Sequence, residues 1–289
     1  MDEITAISRA RKLLDRYHVR NYPVDVMGIA LAEGYVVRES EKLADDEDGQ
    51  TLTVGDRRFI VVNKNSRLYR RRFTIMHELA HHVLELPSAH GSHLAANELE
   101  RFRSRPAEEV LCDVFAAECL VPWQLIQPLT ETFDFSIDAV TTLSDRFEAS
   151  KLCVASRFAQ ASASTLAYVV AEEGTIKYSV SSRALRDARI FLRTAVALPG
   201  QSAAAQAIRA GRSAAIADME ATEWSHSDAA DNFSVHEEAI YHAAWGQTLS
   251  LLTFEEDRPA SRISSVRAED EDDLLPELTG ELSWDKSKR

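Results

Sequence analysis

The stretch of sequence that decides the fold is Leu68–Leu86, LYRRRFTIMHELAHHVLEL. Apolar residues fall on every side of a helix drawn through its second half, which is typical of a helix buried all round. Pro87 follows, and proline cannot continue a helix because it lacks the amide donor and clashes with the preceding turn. The sequence therefore predicts a buried helix that ends before Pro87.

Three ionisable residues in this helix, His77, Glu78 and His81, form a pattern that indicates metal chemistry. Side chains four residues apart share a helical face, so His77 and His81 can direct two imidazole nitrogens at one cation. Zinc held in this way keeps an open position for water and lowers the pKa of that water toward about 7. Glu78 can then take a proton from the water as it attacks a carbonyl. The alternative is a solvated helix that carries these residues by chance, but buried ionisable groups need a partner, which a metal supplies.

A third ligand is expected from the next predicted helix, about 107–121. Its carboxylates are Glu108, Glu109, Asp113 and Glu118. Glu109 and Asp113 share a face, so Glu109 can bind the ion while Asp113 accepts a hydrogen bond from the outer ring nitrogen of His77. We predict Glu109 as the ligand, with Glu108 as the alternative. A solvated acidic face suits Glu108 and Glu118 better, and His82 is expected at the surface or beside the site.

Helical and strand patterns alternate around these two helices. Spacing and β-propensity predict an entry helix, further helices in the middle and strands at both ends. The predicted helices are about 4–17, 24–34, 185–195 and a pair between 137 and 160 that breaks at 148–150, with Ser150 as an N-cap. The predicted strands are about 35–37, 59–63, 167–170, 176–180, 214–217 and 248–254. This order predicts an α+β fold.

Composition limits the class of protein. The 289 residues carry a formal net charge of −13, which opposes attraction to phosphate, so we expect no direct binding of nucleic acid. There is no secretory pattern at the amino terminus and no uncharged run of roughly 18 residues, so we expect a cytoplasmic protein without membrane contact. Cys112, Cys119 and Cys153 include no Cys-x-x-Cys pair and are expected to be small core residues.

Two stretches together resemble the ImmA/IrrE family of metallo-endopeptidases. They are Arg72–His81, RFTIMHELAH, and Glu109–Pro122, EVLCDVFAAECLVP. The resemblance implies a zincin-like metallopeptidase domain in which His77, His81 and Glu109 bind the metal, Glu78 is catalytic and Asp113 supports a ligand. Zinc is the expected cofactor, and the ligand types also suit manganese.

The resemblance also implies a domain order. We expect the zinc metallopeptidase domain at 1–128, a helix-turn-helix-like helical segment at 129–162 and a GAF-like α+β sensor domain at 163–256. The acids and serines of 257–289 cannot repay the entropy of folding, so that tail is expected to be disordered. By resemblance, the function is cleavage of a protein substrate, a partner repressor of the XRE type, at a specific site that controls a stress or mobile-element response. The alternative is a non-proteolytic DNA-binding or scaffold transcription regulator.

Three further features allow more than one interpretation. The helical pair between 137 and 160 fits a packing hairpin, a substrate-docking surface or a DNA reader. The arginines Arg67, Arg70, Arg71 and Arg72 fit a solvated turn or a patch that steers an acidic substrate. Trp224, His226, Tyr241 and Trp245 fit either core positions or the lining of a ligand pocket.

Overall fold

Helices and two β-sheets make up the described part of the chain, residues 1–44, 47–87 and 106–257 of this computed structural model. The first elements are α1 (Glu3–Arg16), α2 (Val26–Ala32), β1 (Tyr35–Ser40), β2 (Gly49–Val54), β3 (Arg57–Asn63), α3 (Leu68–Val83) and α4 (Ala107–Leu120). Next come α5 (Trp123–Ile126), α6 (Ile137–Phe147), α7 (Lys151–Ala161), β4 (Leu166–Glu172) and β5 (Thr175–Ser181). The last are α8 (Arg183–Asp187), α9 (Ala203–Ala210), β6 (Ala214–Glu220), β7 (Phe233–His242) and β8 (Gln247–Glu256). The predicted α+β class is confirmed.

The first sheet has three strands in the order β1-β3-β2. β1 runs parallel to β3, and β2 pairs antiparallel with β3 across the two-residue turn Gly55-Asp56. Gly55 has φ +60°, a conformation that glycine adopts without steric cost and that tight hairpins require. β3 contacts α3, and its alternate residues Ile60 and Val62 are buried, so one face of this sheet covers the predicted buried helix. β1 and β3 lie where the sequence predicts strands, whereas β2 was not predicted from the sequence.

The break predicted between α6 and α7 is confirmed. Glu148 adopts a left-handed conformation with φ +49° and ends α6. The Ser150 side chain accepts a hydrogen bond from the backbone N–H of Cys153 at 3.2 Å, so Ser150 is the N-cap of α7 as predicted. Such a cap satisfies one of the free amides at the start of a helix.

The second sheet has five strands in the order β5-β4-β8-β7-β6, and all neighbouring strands are antiparallel. Alternate residues of a strand point to opposite faces, and β4 is buried on both. Leu166, Tyr168 and Val170 join a core that also contains the buried residues of α1 to α4, including the predicted core cysteines Cys112 and Cys119. Ala167, Val169 and Ala171 join a second core with residues of α9. The sheet thus separates two cores within the compact unit Met1–Glu256.

The helix predicted at about 185–195 is wrong in extent. α8 ends at Asp187, and Arg189 has φ +60°, which a right-handed helix does not accommodate. Beyond it the chain pairs locally with β5, since Ile176 donates to the carbonyl of Val196 at 2.8 Å. α9 and β7 were not predicted from the sequence.

The sequence also predicts a disordered tail at 257–289 and no contact with a membrane. The tail at 257–289 lies outside the described residues apart from Asp257. Within the described ranges, no helix is both long enough and apolar enough to cross a membrane.

Glu118 of α4 was expected on a solvated acidic face, and that prediction is wrong. Its side chain is fully buried and accepts hydrogen bonds from the Trp123 amide at 3.0 Å and from Nε of Arg11 at 3.1 Å. Nη2 of Arg157, a buried residue of α7, donates to the second carboxylate oxygen. Glu118 therefore ties α4 to α1 and α7 by charge-assisted hydrogen bonds.

We expect Glu118→Gln to lower the free energy of unfolding by about 3–5 kcal/mol, because the substitution leaves the buried Arg157 guanidinium without a countercharge. Arg11→Gln is the matched control. The Arg11 side chain is 45% exposed, so its loss should cost less than about 1 kcal/mol. Urea unfolding followed by circular dichroism measures both. Equal shifts of the two midpoints would contradict the assignment of the buried pair as the main contributor.

Candidate metal centre

The predicted metal-binding residues lie in the most deeply buried part of α3. Every residue from Thr74 to His81 is buried, between the three-stranded sheet and α4. His77 is 2% exposed and His81 is 6% exposed. Because these imidazoles are withdrawn from water, their ring nitrogens need partners inside the protein.

The partners of the two Nε2 atoms converge on one point between α3 and α4. Nε2 of His77 lies 3.1 Å from Oε2 of Glu109 and 3.3 Å from Nε2 of His81. Nε2 of His81 lies 3.5 Å from Oε1 of Glu109. Within the described residues, these three side chains form a group whose ligand atoms all lie within 4.8 Å of one another.

The spacing of these atoms fits a small divalent cation. Ligand atoms about 2.0–2.1 Å from a tetrahedral zinc ion stand roughly 3.3–3.4 Å apart. The two Nε2 atoms are 3.3 Å apart, and each has a Glu109 oxygen nearby, Oε2 at 3.1 Å from His77 and Oε1 at 3.5 Å from His81. Two nitrogens and one carboxylate oxygen are also donors that zinc accepts, with manganese as a weaker match. The residues present therefore fit the implied metal.

The electrostatics of the cluster favour positive charge at the same point. Burial lowers the pKa of His77, but hydrogen bonds to Asp113 and Glu109 outweigh burial and raise that pKa to about 9. Burial, and then the nearby His77, lower the pKa of His81. Two carboxylates thus draw a positive charge toward the place where the two imidazole nitrogens meet.

Asp113 lies one turn after Glu109 on α4 and contacts the outer side of His77. Its Oδ1 accepts a hydrogen bond from Nδ1 of His77 at 2.9 Å. A proton held on Nδ1 leaves the lone pair of Nε2 directed at the cluster, which orients the ring and increases its basicity. The structure places Asp113 where the four-residue spacing on α4 predicted it.

Glu78 lies beside the cluster but contacts a different element. Its carboxylate is 6% exposed, and Oε2 accepts a hydrogen bond from Oγ1 of Thr51 at 2.8 Å. Thr51 belongs to β2, the strand that the sequence analysis missed. The alternating Thr51 and Thr53 before the Gly55-Asp56 turn are the signal that would have revealed the strand.

The remaining candidates lie away from the cluster. Glu108 is half-buried and is not part of the group in which the ligand atoms meet. His82 is exposed, as expected, and its Nε2 lies 3.3 Å from Nη1 of Arg58. Trp224 is buried in the second core, whereas Trp245 is 56% exposed. The core interpretation therefore holds for Trp224.

The arginines before α3 contact their own fold. Arg70 pairs with Asp48, Arg71 with Glu39 at 2.7 Å and Arg72 with Glu148 at 3.1 Å, while Arg67 lies 6.0 Å from the ring centroid of Trp245. Arg72 also donates to the Val24 carbonyl at 2.7 Å. These contacts fix the start of α3 and favour a structural role for the group over the steering of a substrate.

Residues 30–159 match the model of a peptidase family, the IrrE N-terminal-like domain. The chain carries an IrrE N-terminal-like domain. The matched range holds the whole cluster on α3 and α4 and extends through α6 into α7, whereas the predicted metallopeptidase domain ended at 128. The domain boundaries themselves stay predictions.

One solved structure extends the comparison beyond the IrrE N-terminal-like domain. A Mycobacterium tuberculosis transcriptional regulator matches with a TM-score of 0.60 and 14% sequence identity, over 86% of this chain and 75% of that one. At this identity the likeness is one of fold. No curated protein matches the chain.

We expect Glu109→Gln to reduce zinc affinity by more than the roughly 10- to 100-fold that loss of an outer partner costs, because it removes the charged donor from the cluster. Asp113→Asn should fall within that range, and Glu108→Gln, on the same turn of α4, should bind zinc as the unsubstituted protein does. Competition with a chromophoric chelator measures all three. Equal losses in the Glu108 and Glu109 variants would show that Glu109 has no special place in the site.

Proposed function

We propose that this protein is a zinc-dependent metallo-endopeptidase that cleaves a partner transcriptional repressor of the XRE type at a specific site. The observation that carries the proposal is the meeting of His77, His81 and Glu109 within the IrrE N-terminal-like domain, with Glu78 next to them. A scaffold has no chemical need for a buried carboxylate beside two imidazoles, since burial of such a group is costly.

Each side chain then has a distinct task. His77, His81 and Glu109 would hold the ion, and Asp113 keeps His77 in the tautomer that presents Nε2. When bound, zinc would lower the pKa of a water molecule toward about 7 and polarise the scissile carbonyl. Glu78 accepts the proton of the attacking water on its carboxylate and passes it to the leaving amine. Because Glu78 is 6% exposed, bulk water competes little for that proton.

A cavity lies next to one of the proposed metal ligands. This cavity of about 520 Å³ lies at the C-terminal end of α3 and is lined by His81 together with Arg9, Lys12 and Arg16 of α1. This volume lies within the range of about 300–1,000 Å³ that ligand pockets occupy. Of the proposed site residues, His81 lines the cavity, and His77, Glu78 and Glu109 are not among its lining residues.

The choice of partner rests on the resemblance to the ImmA/IrrE family. The net charge of −13 argues against direct nucleic-acid binding. We propose that cleavage occurs in the cytoplasm and controls a stress or mobile-element response through removal of the repressor. The part after Leu166, proposed as a GAF-like sensor, would adjust that response, because the proposed ligands and base all precede it.

We expect the purified protein to cut the XRE-type regulator encoded nearest to it at one bond, and a chelator to stop the reaction. Glu78→Gln should bind zinc normally and lose roughly 100- to 10,000-fold in rate, because the general base is absent while the ligands remain. Mass spectrometry of the products identifies the cleaved bond and measures the rate, and metal analysis measures the zinc content. Undiminished cleavage by Glu78→Gln would refute the assigned role.

A second candidate function is non-proteolytic regulation by DNA binding or scaffolding. The similar Mycobacterium tuberculosis protein is named a transcriptional regulator, which favours this alternative. A reporter gene under control of the same regulator separates the two. Derepression that survives Glu78→Gln with an intact repressor supports the alternative, and derepression that disappears together with cleavage supports proteolysis.

A further inference from the structure

The proposed general base contacts a strand that is not part of the metal cluster. Oγ1 of Thr51 donates to Oε2 of Glu78 at 2.8 Å, and the two residues are 27 positions apart. No other hydrogen bond to the Glu78 carboxylate occurs within residues 1–44, 47–87 and 106–257, so Oε1 is left for a proton from a reactant. One oxygen of the carboxylate is thus fixed while the other stays available.

The strand geometry directs Thr51 at α3. Thr51 pairs with Ile60 in the β2–β3 ladder, and Ile60 is fully buried on the face that covers α3. Residues that are directly opposite in such a ladder point to the same face of the sheet. The Thr51 side chain therefore lies on the inner face, where it reaches Glu78.

Gly49 allows β2 to approach α3 this closely. A Cβ at Gly49 would lie 2.4 Å from Cγ2 of Thr74 and 2.8 Å from the Val61 carbonyl oxygen, which is closer than real Cβ atoms come. Thr74 is a buried residue of α3, three positions before His77. The lack of a side chain two residues before Thr51 therefore brings the hydroxyl within hydrogen-bond reach of Glu78.

We propose that Thr51 is a positioning residue that holds the Glu78 carboxylate in one orientation. A free glutamate side chain samples many rotamers, and burying it in one of them has an entropic cost that a fixed hydrogen bond offsets. A misplacement of about 1 Å at a reacting group can cost roughly 100-fold in rate. The consequence for catalysis rests on the proposed function, whereas the contact itself does not.

Three variants test the proposal in the full-length protein. Thr51→Val keeps the branched shape that suits a strand but removes the hydroxyl, Thr51→Ser keeps the hydroxyl, and Thr53→Val makes the same change at an exposed position of β2. Against the regulator cleaved in the previous test, Thr51→Val should lower kcat roughly 10- to 100-fold with KM and zinc content unchanged. Thr51→Ser should restore most of the rate, and Thr53→Val should match the unsubstituted protein.

A second measurement separates failure of this proposal from failure of the proposed function. The side-chain carboxyl ¹³C resonance of Glu78 is identified as the signal that Glu78→Gln removes. It should shift in Thr51→Val, return in Thr51→Ser and stay in place in Thr53→Val. A shift without any cleavage by the unsubstituted protein would overturn the peptidase function and leave the contact standing. An unmoved resonance, or full kcat in Thr51→Val, would overturn the role of Thr51.

Discussion

His77, Glu78 and His81 lie on a helical segment, Thr74–His81, in which every residue is buried. Removing ionisable side chains from water costs several kcal/mol each unless charges and hydrogen bonds compensate. The surrounding fold supplies that compensation from two directions, with Glu109 and Asp113 on α4 and Thr51 on β2. The positions of the first sheet and of α4 are therefore both constrained, because each must keep its hydrogen bonds to the buried ionisable side chains of α3. A shift of either element would expose a buried ionisable side chain to water or leave it without its hydrogen-bond partner.

The position of α4 depends in turn on contacts far from the cluster. Glu118 follows Glu109 by about two and a half turns and binds Arg157 of α7 and Arg11 of α1. α7 packs against β4 and β5, whose inward residues share a core with α3 and α4. A continuous set of packed elements thus runs from the five-stranded sheet to the helix that carries Glu109. This packing gives the second sheet a physical connection to the site, although that sheet contributes none of the three clustered side chains.

The features predicted correctly from the sequence are those that depend on residues close together in the chain. Spacing of four residues on α3 and on α4 placed His77 with His81 and Glu109 with Asp113, because a helix fixes the faces of its residues. Burial of Glu118 could not be inferred in this way, since its partner Arg157 is 39 residues away. β7 was missed because His236, Glu237 and Glu238 break its apolar pattern. The carboxylate of Glu237 is nevertheless buried, where it accepts hydrogen bonds from the amides of Ala203 and Ala204 and from the hydroxyl of Ser250.

The side chains proposed for metal binding and for proton transfer depend on elements that are held in place to different degrees. The proposed ligands lie on α3 and α4, two helices with many buried residues. Their backbone hydrogen bonds are satisfied within each helix, and packing on several sides fixes the positions of the two helices. The orientation of Glu78 depends on β2, which, among the residues that the structure describes, pairs with a neighbour on one side only. An edge strand keeps unpaired backbone donors and acceptors, and its position responds more readily to whatever lies beside it. The proposed metal site can therefore stay intact while the proposed proton acceptor is mispositioned, so that loss of metal and loss of rate are physically separable.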